Sequence, residues 1–189
     1  MNSASVDVKT DFAVLTVSDL ALDIAFHLLR TDILGRPGNF VQFTALRDQF
    51  PAVEIRLLEE AVAELKHAGS LTTKATISQP IFCFTLETAL YVAFDRAATG
   101  RDTSADAVEI AGLWLQDDTM HIIPYLRARL GWELRRLNPA LCALRYVFPE
   151  NGWSELLDPS LVTLRVLIGP SERFQLRRIV ESGRIDDTH

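Results

Sequence analysis

Apolar residues recur at helical spacing through most of this 189-residue chain, and give way to strand-like alternation only between positions 70 and 86. The first periodic run predicts a helix from Asp19 to Thr31, with Ser18 as N-cap and Val17 before it. This helix is apolar nearly all round, through Leu20, Leu22, Ile24, Phe26, Leu28 and Leu29. A helix of that kind must be covered on more than one side. One side belongs to its own domain, and the other calls for a second domain or a second subunit. Residues 1–17 read as a lead-in.

Gly35-Arg36-Pro37-Gly38-Asn39 reads as a turn, after which Phe40 and Val41 form a short strand. A short helix is predicted from Thr44 to Gln49, a turn at Pro51, and a longer helix to Ala68, ended by Gly69. In the longer helix Ile55, Leu58, Val62 and Leu65 form the apolar stripe. Arg56, Glu60, Ala63 and His67 form the opposite face, with Glu64 beside it. Strands at Ser70–Thr76 and Ile81–Leu86 flank a turn at Ser78-Gln79-Pro80. In the second strand Phe82, Phe84 and Leu86 share one face, and Ile81 and Cys83 the other. A helix follows to about Ala98, then a linker at 99–103. Further helices are predicted at Ser104–Gln116, Pro124–Leu137, Pro139–Phe148 and Ser171–Ser182. The run from Asp158 to Pro170 fits either a short helix or a strand.

The order helix, short helix, turn, longer helix and β-hairpin is that of a helix-turn-helix with a wing. Its carriers are Phe43-x-x-Leu46-x-x-x-Phe50, Ile55-x-x-Leu58-x-x-x-Val62-x-x-Leu65-x-x-x-Gly69-x-Leu71 and the paired strands. On these residues the segment 18–98 resembles the winged helix-turn-helix superfamily. The expected fold is therefore mainly α: an N-terminal winged helix of three helices plus a β-hairpin, then an all-helical C-terminal half at 104–189. The resemblance implies DNA binding, often as a dimer and often in transcriptional control. It places the reading helix at Glu54–His67 and the wing at Thr72–Gln79. Arg47, Arg56, His67, Thr73 and Lys74 are then the candidate contacts to double-stranded DNA.

Charge pulls against that implication. The chain carries 19 basic and 25 acidic residues, a net −6. Phosphate binding needs clustered Lys and Arg, whereas the reading helix holds Glu54, Glu59, Glu60 and Glu64. Arg56 and Glu60 are spaced to pair with each other across one turn. The alternative is a winged helix that meets a protein partner at the acidic helix 54–67 and binds no DNA. Residues 121–178 reverse the sign, with nine Arg against five acidic residues. Arg127, Arg129, Arg135 and Arg136 surround Trp132 and read as a solvated, snorkelling face. The expected oligomer is a homodimer, with Leu22, Phe26, Leu29 and Trp132 as candidate dimer or partner contacts.

Other chemistry is not assembled in the sequence. Glu64-x-x-His67 and Asp118-x-x-His121 place a carboxylate and an imidazole one turn apart, but lack the partner-helix carboxylates of a di-iron site. Asp118 reads more simply as an N-cap. Trp114, Trp132, Trp153, Tyr125 and Tyr146 could line a pocket, and read more simply as core anchors. No phosphate loop, dinucleotide fingerprint or nucleophile elbow is present. No cofactor, metal or enzymatic activity is expected. Cys83 and Cys142 sit among apolar neighbours and read as buried thiols. The N-terminus lacks the pattern of a signal peptide, and no apolar run reaches membrane-spanning length. A cytoplasmic protein is the expectation.

Overall fold

The computed structural model describes residues 17–146, 148, 152–154 and 160–185. The predicted lead-in before Val17, residue 147 of the helix predicted at 139–148, and residues 158 and 159 of the ambiguous run lie outside the described residues. Among those residues the fold is mainly helical, with eight α-helices and one three-stranded antiparallel sheet.

The first half comprises α1 (Asp19–Thr31), β1 (Phe40–Gln42), α2 (Phe43–Gln49), α3 (Ile55–His67), β2 (Leu71–Lys74), β3 (Cys83–Leu86) and α4 (Thr88–Thr99). Ser18 caps α1 by accepting from the Ala21 amide at 3.3 Å. Its own amide donates to the Glu64 carboxylate at 2.7 Å, which ties the head of α1 to α3. The sheet order is β1-β3-β2, and Phe84 of β3 lies opposite both Val41 and Thr73. Its inner face adds Phe84, Leu71 and Leu86 to a core of Ile24, Leu28, Leu46, Leu58, Leu65 and Leu90.

Two positions depart from the predicted pattern. The stripe of α3 is Leu58, Ala61, Val62 and Leu65, and Ile55 is 49% exposed because the stripe runs off the core at the first helical residue. Phe82 precedes β3 and stands 43% exposed, while Ile81 and Cys83 are buried.

The second half comprises α5 (Thr103–Gln116), a 3-10 turn (Asp118–His121), α6 (Ile123–Leu130), α7 (Leu134–Arg145) and α8 (Pro170–Ser182). Asp117, not Asp118, caps the 3-10 turn, accepting from the Thr119 amide at 2.8 Å. Trp114 packs among His121, Phe148 and Trp153 in a second core that also holds Trp132, whereas Tyr125 and Tyr146 are exposed and are not core anchors. The ambiguous run is extended at Arg165 and Val166, which form isolated bridges with Ile122 and Trp153. The second half is therefore not all-helical: a short stretch of extended chain closes its core.

The predicted helix pair 124–137 and 139–148 is divided elsewhere. Gly131 adopts a left-handed conformation (φ 66°) and ends α6, as a residue without Cβ does readily. The next helix then runs through Pro139. A proline at that point has no N–H for the Arg135 carbonyl four residues back, and its ring crowds that carbonyl. Gly35, from the turn after α1, packs against this spot. A Cβ there would lie 2.6 Å from the Arg135 oxygen and 2.9 Å from the Pro139 Cδ.

The predicted linker is a tight joint. Gly100 ends α4 in the left-handed region, and Asp102 caps α5 by accepting from the Ala105 amide at 3.0 Å.

Candidate functional sites

The sequence-predicted DNA contacts lie on α2, α3 and β2. Arg47, Arg56, His67 and Lys74 are exposed, and Thr73 is half-buried. Arg56 stands 3.9 Å from Glu60, with both side chains largely in water. Pairs of this kind contribute little to stability, yet here the carboxylate occupies the cation that would face a groove. Glu64 is committed to the Ser18 amide. Ile55 and Leu57 are exposed on the flanks of α3, and Ile77 and Phe82 on the hairpin.

The candidate dimer contacts sit differently. Leu22 and Phe26 are half-buried against their own core, and the Arg30 guanidinium lies 5.5 Å from the Phe26 ring centre. Leu29 is 1% exposed and Trp132 7% exposed, so both are covered by their own chain. The Arg136 guanidinium lies 3.7 Å from the Trp132 ring centre and forks onto Asp106 at 2.9 and 2.6 Å. That fork raises the Arg136 pKa further. Glu133 precedes α7 and meets Arg101 at 3.2 Å.

The Arg-rich face is therefore not solvated throughout. Arg135 is 5% exposed and reaches from α7 into the first half. Its guanidinium donates to both oxygens of Asp95 on α4 (2.9 and 2.7 Å) and twice to the Leu29 carbonyl near the end of α1 (3.3 and 2.9 Å). Asp95 also accepts from the Thr99 and Thr103 hydroxyls at 2.7 and 3.3 Å. The guanidinium lies 5.1 Å from the Tyr91 ring centre, and the Tyr91 hydroxyl donates to Asp32 at 2.5 Å. Burial, and then the Asp32 charge, push the Tyr91 phenol well above its ordinary range. Asn138 adds a bond to the Leu34 carbonyl at 2.8 Å. Two buried charges taken from water are tolerable only with such full hydrogen bonding.

Sequence reasoning missed Asp32, Tyr91 and Asp95. One signal was available: Asp95 interrupts the apolar run Leu90-Tyr91-Val92-Ala93-Phe94, where an unpaired carboxylate would be costly.

A groove of about 410 Å³ opens between α1, β1 and α2, with Asp32 on its wall. The carboxylate–histidine pairs of the sequence are not gathered into a metal site. Glu64 is bound to Ser18, and Asp118 is paired with Arg173. Among the described residues no group of three or more His, Cys, Asp or Glu is placed to hold a metal ion. No helix among them is long and apolar enough to cross a membrane. Comparison with protein-family models, curated proteins and solved structures finds no match for this chain.

Proposed function

We propose that the first half is a winged helix used for protein contact, not for reading DNA, and that the protein is an adaptor or regulator acting through α3 and the hairpin. One observation carries this reading. Ile55 and Leu57 are exposed on a helix whose outward cation, Arg56, faces Glu60, and Ile77 and Phe82 are exposed on the hairpin that follows it. Exposed apolar side chains within an acidic frame suit a protein partner. They do not suit a phosphate backbone. The element order and the β1-β3-β2 sheet support the winged-helix reading.

DNA association remains a second reading, supported by Arg47 and Lys74, which are exposed and make no ion pair among the described residues. The test uses a photo-crosslinking residue at position 57 or 77 in the full chain, and separately a titration with random-sequence duplex at low salt. Protein adducts whose identified partner rebinds in purified form, and is weakened by Ile55→Ser, support the adaptor. Duplex binding that is lost in the Arg47→Ala, Lys74→Ala variant overturns it and installs the DNA reading.

A further inference from the structure

The groove beside α1 has the size of a small-ligand site, within the ~300–1,000 Å³ typical of such sites. Leu28, Leu46 and Leu86 give it an apolar lining, and Phe40, 53% exposed, stands at its edge. Its polar wall is made by His27, Thr31, Asn39, Gln49 and Asp32, the residue that ends α1, and Asp32 is the carboxylate among them. The helix end does not add to this charge, because its Leu28 carbonyl accepts from the Asp32 amide and its Leu29 carbonyl from the Arg135 guanidinium, so the charge on the wall is that of the Asp32 carboxylate alone.

The partners of Asp32 are all neutral. One oxygen accepts from the Leu34 amide at 3.3 Å and the Asn39 side-chain amide at 2.9 Å, and the other from the Tyr91 hydroxyl at 2.5 Å. The guanidinium above the Tyr91 ring does not neutralise it, because its donors are engaged by Asp95 and the Leu29 carbonyl. Asp32 forms no ion pair among the described residues. A half-buried carboxylate beside apolar surface and an aromatic edge fits a cation with an apolar body. An anion would be repelled, and a neutral apolar ligand would leave the charge unmatched.

We propose that this groove binds a small organic cation, with its amine or guanidinium on Asp32 and its apolar body over Leu28, Leu46 and Leu86 beside Phe40. The inference goes beyond the reading of α3 and stands on different residues. Such a ligand would sit one hydrogen bond from Tyr91, and therefore next to the junction of the two halves.

The test is a titration of the full chain, followed by calorimetry and amide chemical shifts. The probes are phenethylamine and agmatine, with the neutral 2-phenylethanol and a lysine tripeptide for comparison. The expected result is saturable binding of an amine with shifts at Thr31, Asn39 and Gln49, at least about tenfold tighter than the alcohol. Asp32→Asn should weaken the amine by about tenfold or more. Because Asp32 accepts from Tyr91, two variants at the exposed Gln49 guard against a folding effect: Gln49→Glu should tighten amine binding and Gln49→Lys should abolish it. Equal affinity for amine and alcohol, no binding of either amine at about 20 mM, or shifts centred elsewhere would overturn the proposal. Tighter binding of the lysine tripeptide would overturn it too, by making the occupant a peptide side chain.

Discussion

Arg135 is the residue through which the two halves meet. Its fork onto Asp95 and its two bonds to the Leu29 carbonyl are almost completely withdrawn from water. A buried pair of this kind is weak proof of stability, since desolvation offsets most of the attraction, but removing one partner strands the other. Arg135→Ala should therefore destabilise the protein by about 3–5 kcal/mol, read as a lowered urea midpoint. Arg135→Lys should recover only part of this, because an ammonium cannot reproduce the planar fork. A loss within the range of ordinary surface changes, about ±0.5 kcal/mol, would contradict the assignment. A second residue-scale expectation concerns alkaline pH. Burial pushes the Cys142 thiol up to about 12 from an ordinary 9.0. Above pH 9 the unfolded chain releases this proton and the folded chain does not, so the unfolded state gains. Stability should be intact below pH 9.0 and should fall as pH rises toward about 12. The Tyr91 phenol, also raised, adds to the loss in the same direction. Urea midpoints between neutral pH and pH 11 check the sign, and Cys142→Ser should flatten the curve.

At the scale of elements, α7 depends on a contact from far away in sequence. Pro139 frees the Arg135 carbonyl, and the Gly35 backbone packs against it with φ +60°. Any Cβ at Gly35 meets both the left-handed penalty and backbone atoms that cannot move aside. Gly35→Ala should cost at least about 1–2 kcal/mol, measured by thermal melting, whereas Gly38→Ala faces open space and meets only the conformational term. Equal effects at the two glycines would show that the close approach is unimportant. This contact also explains what could be read from the sequence. Periodicity located α1, α3, α4 and α8 closely, because their buried stripes are local patterns. It misplaced the break between α6 and α7, because proline and glycine are local punctuation and the Gly35 contact that accompanies Pro139 is not local. The arginine face was misread for the same reason. Arg129 is exposed and Arg135 is buried, and only the partner Asp95, forty residues earlier, distinguishes them. Of the candidate sites, the exposed α3 surface was legible from its charged positions. The groove was not, because Asp32, Phe40 and Leu46 come together only through the turn that joins α1 to β1.

At the scale of the whole molecule, the buried network changes the argument about self-association. The apolar circumference of α1 implies cover from a second domain or a second subunit. Its sides are covered by α3 and α4, and its last turn by Arg135 of the same chain. Leu29 is buried there, and Leu22 and Phe26 rest on their own core, so this helix supplies no reason for a homodimer. The remaining physical expectation is a monomer whose two cores unfold together, because each core loses a buried ionic partner if the other opens. Light scattering should give a mass near 21.2 kDa at micromolar concentration. Calorimetry should give a single transition with equal calorimetric and van't Hoff enthalpies. In Arg135→Ala the cooperativity should weaken, and the first half and second half should melt at separate temperatures. A dimeric mass would return α1, or the exposed side chains of α3 and the hairpin, to the role of a subunit contact. Two transitions in the unaltered protein would show that the Arg135–Asp95 bridge joins the halves in space without coupling their stability.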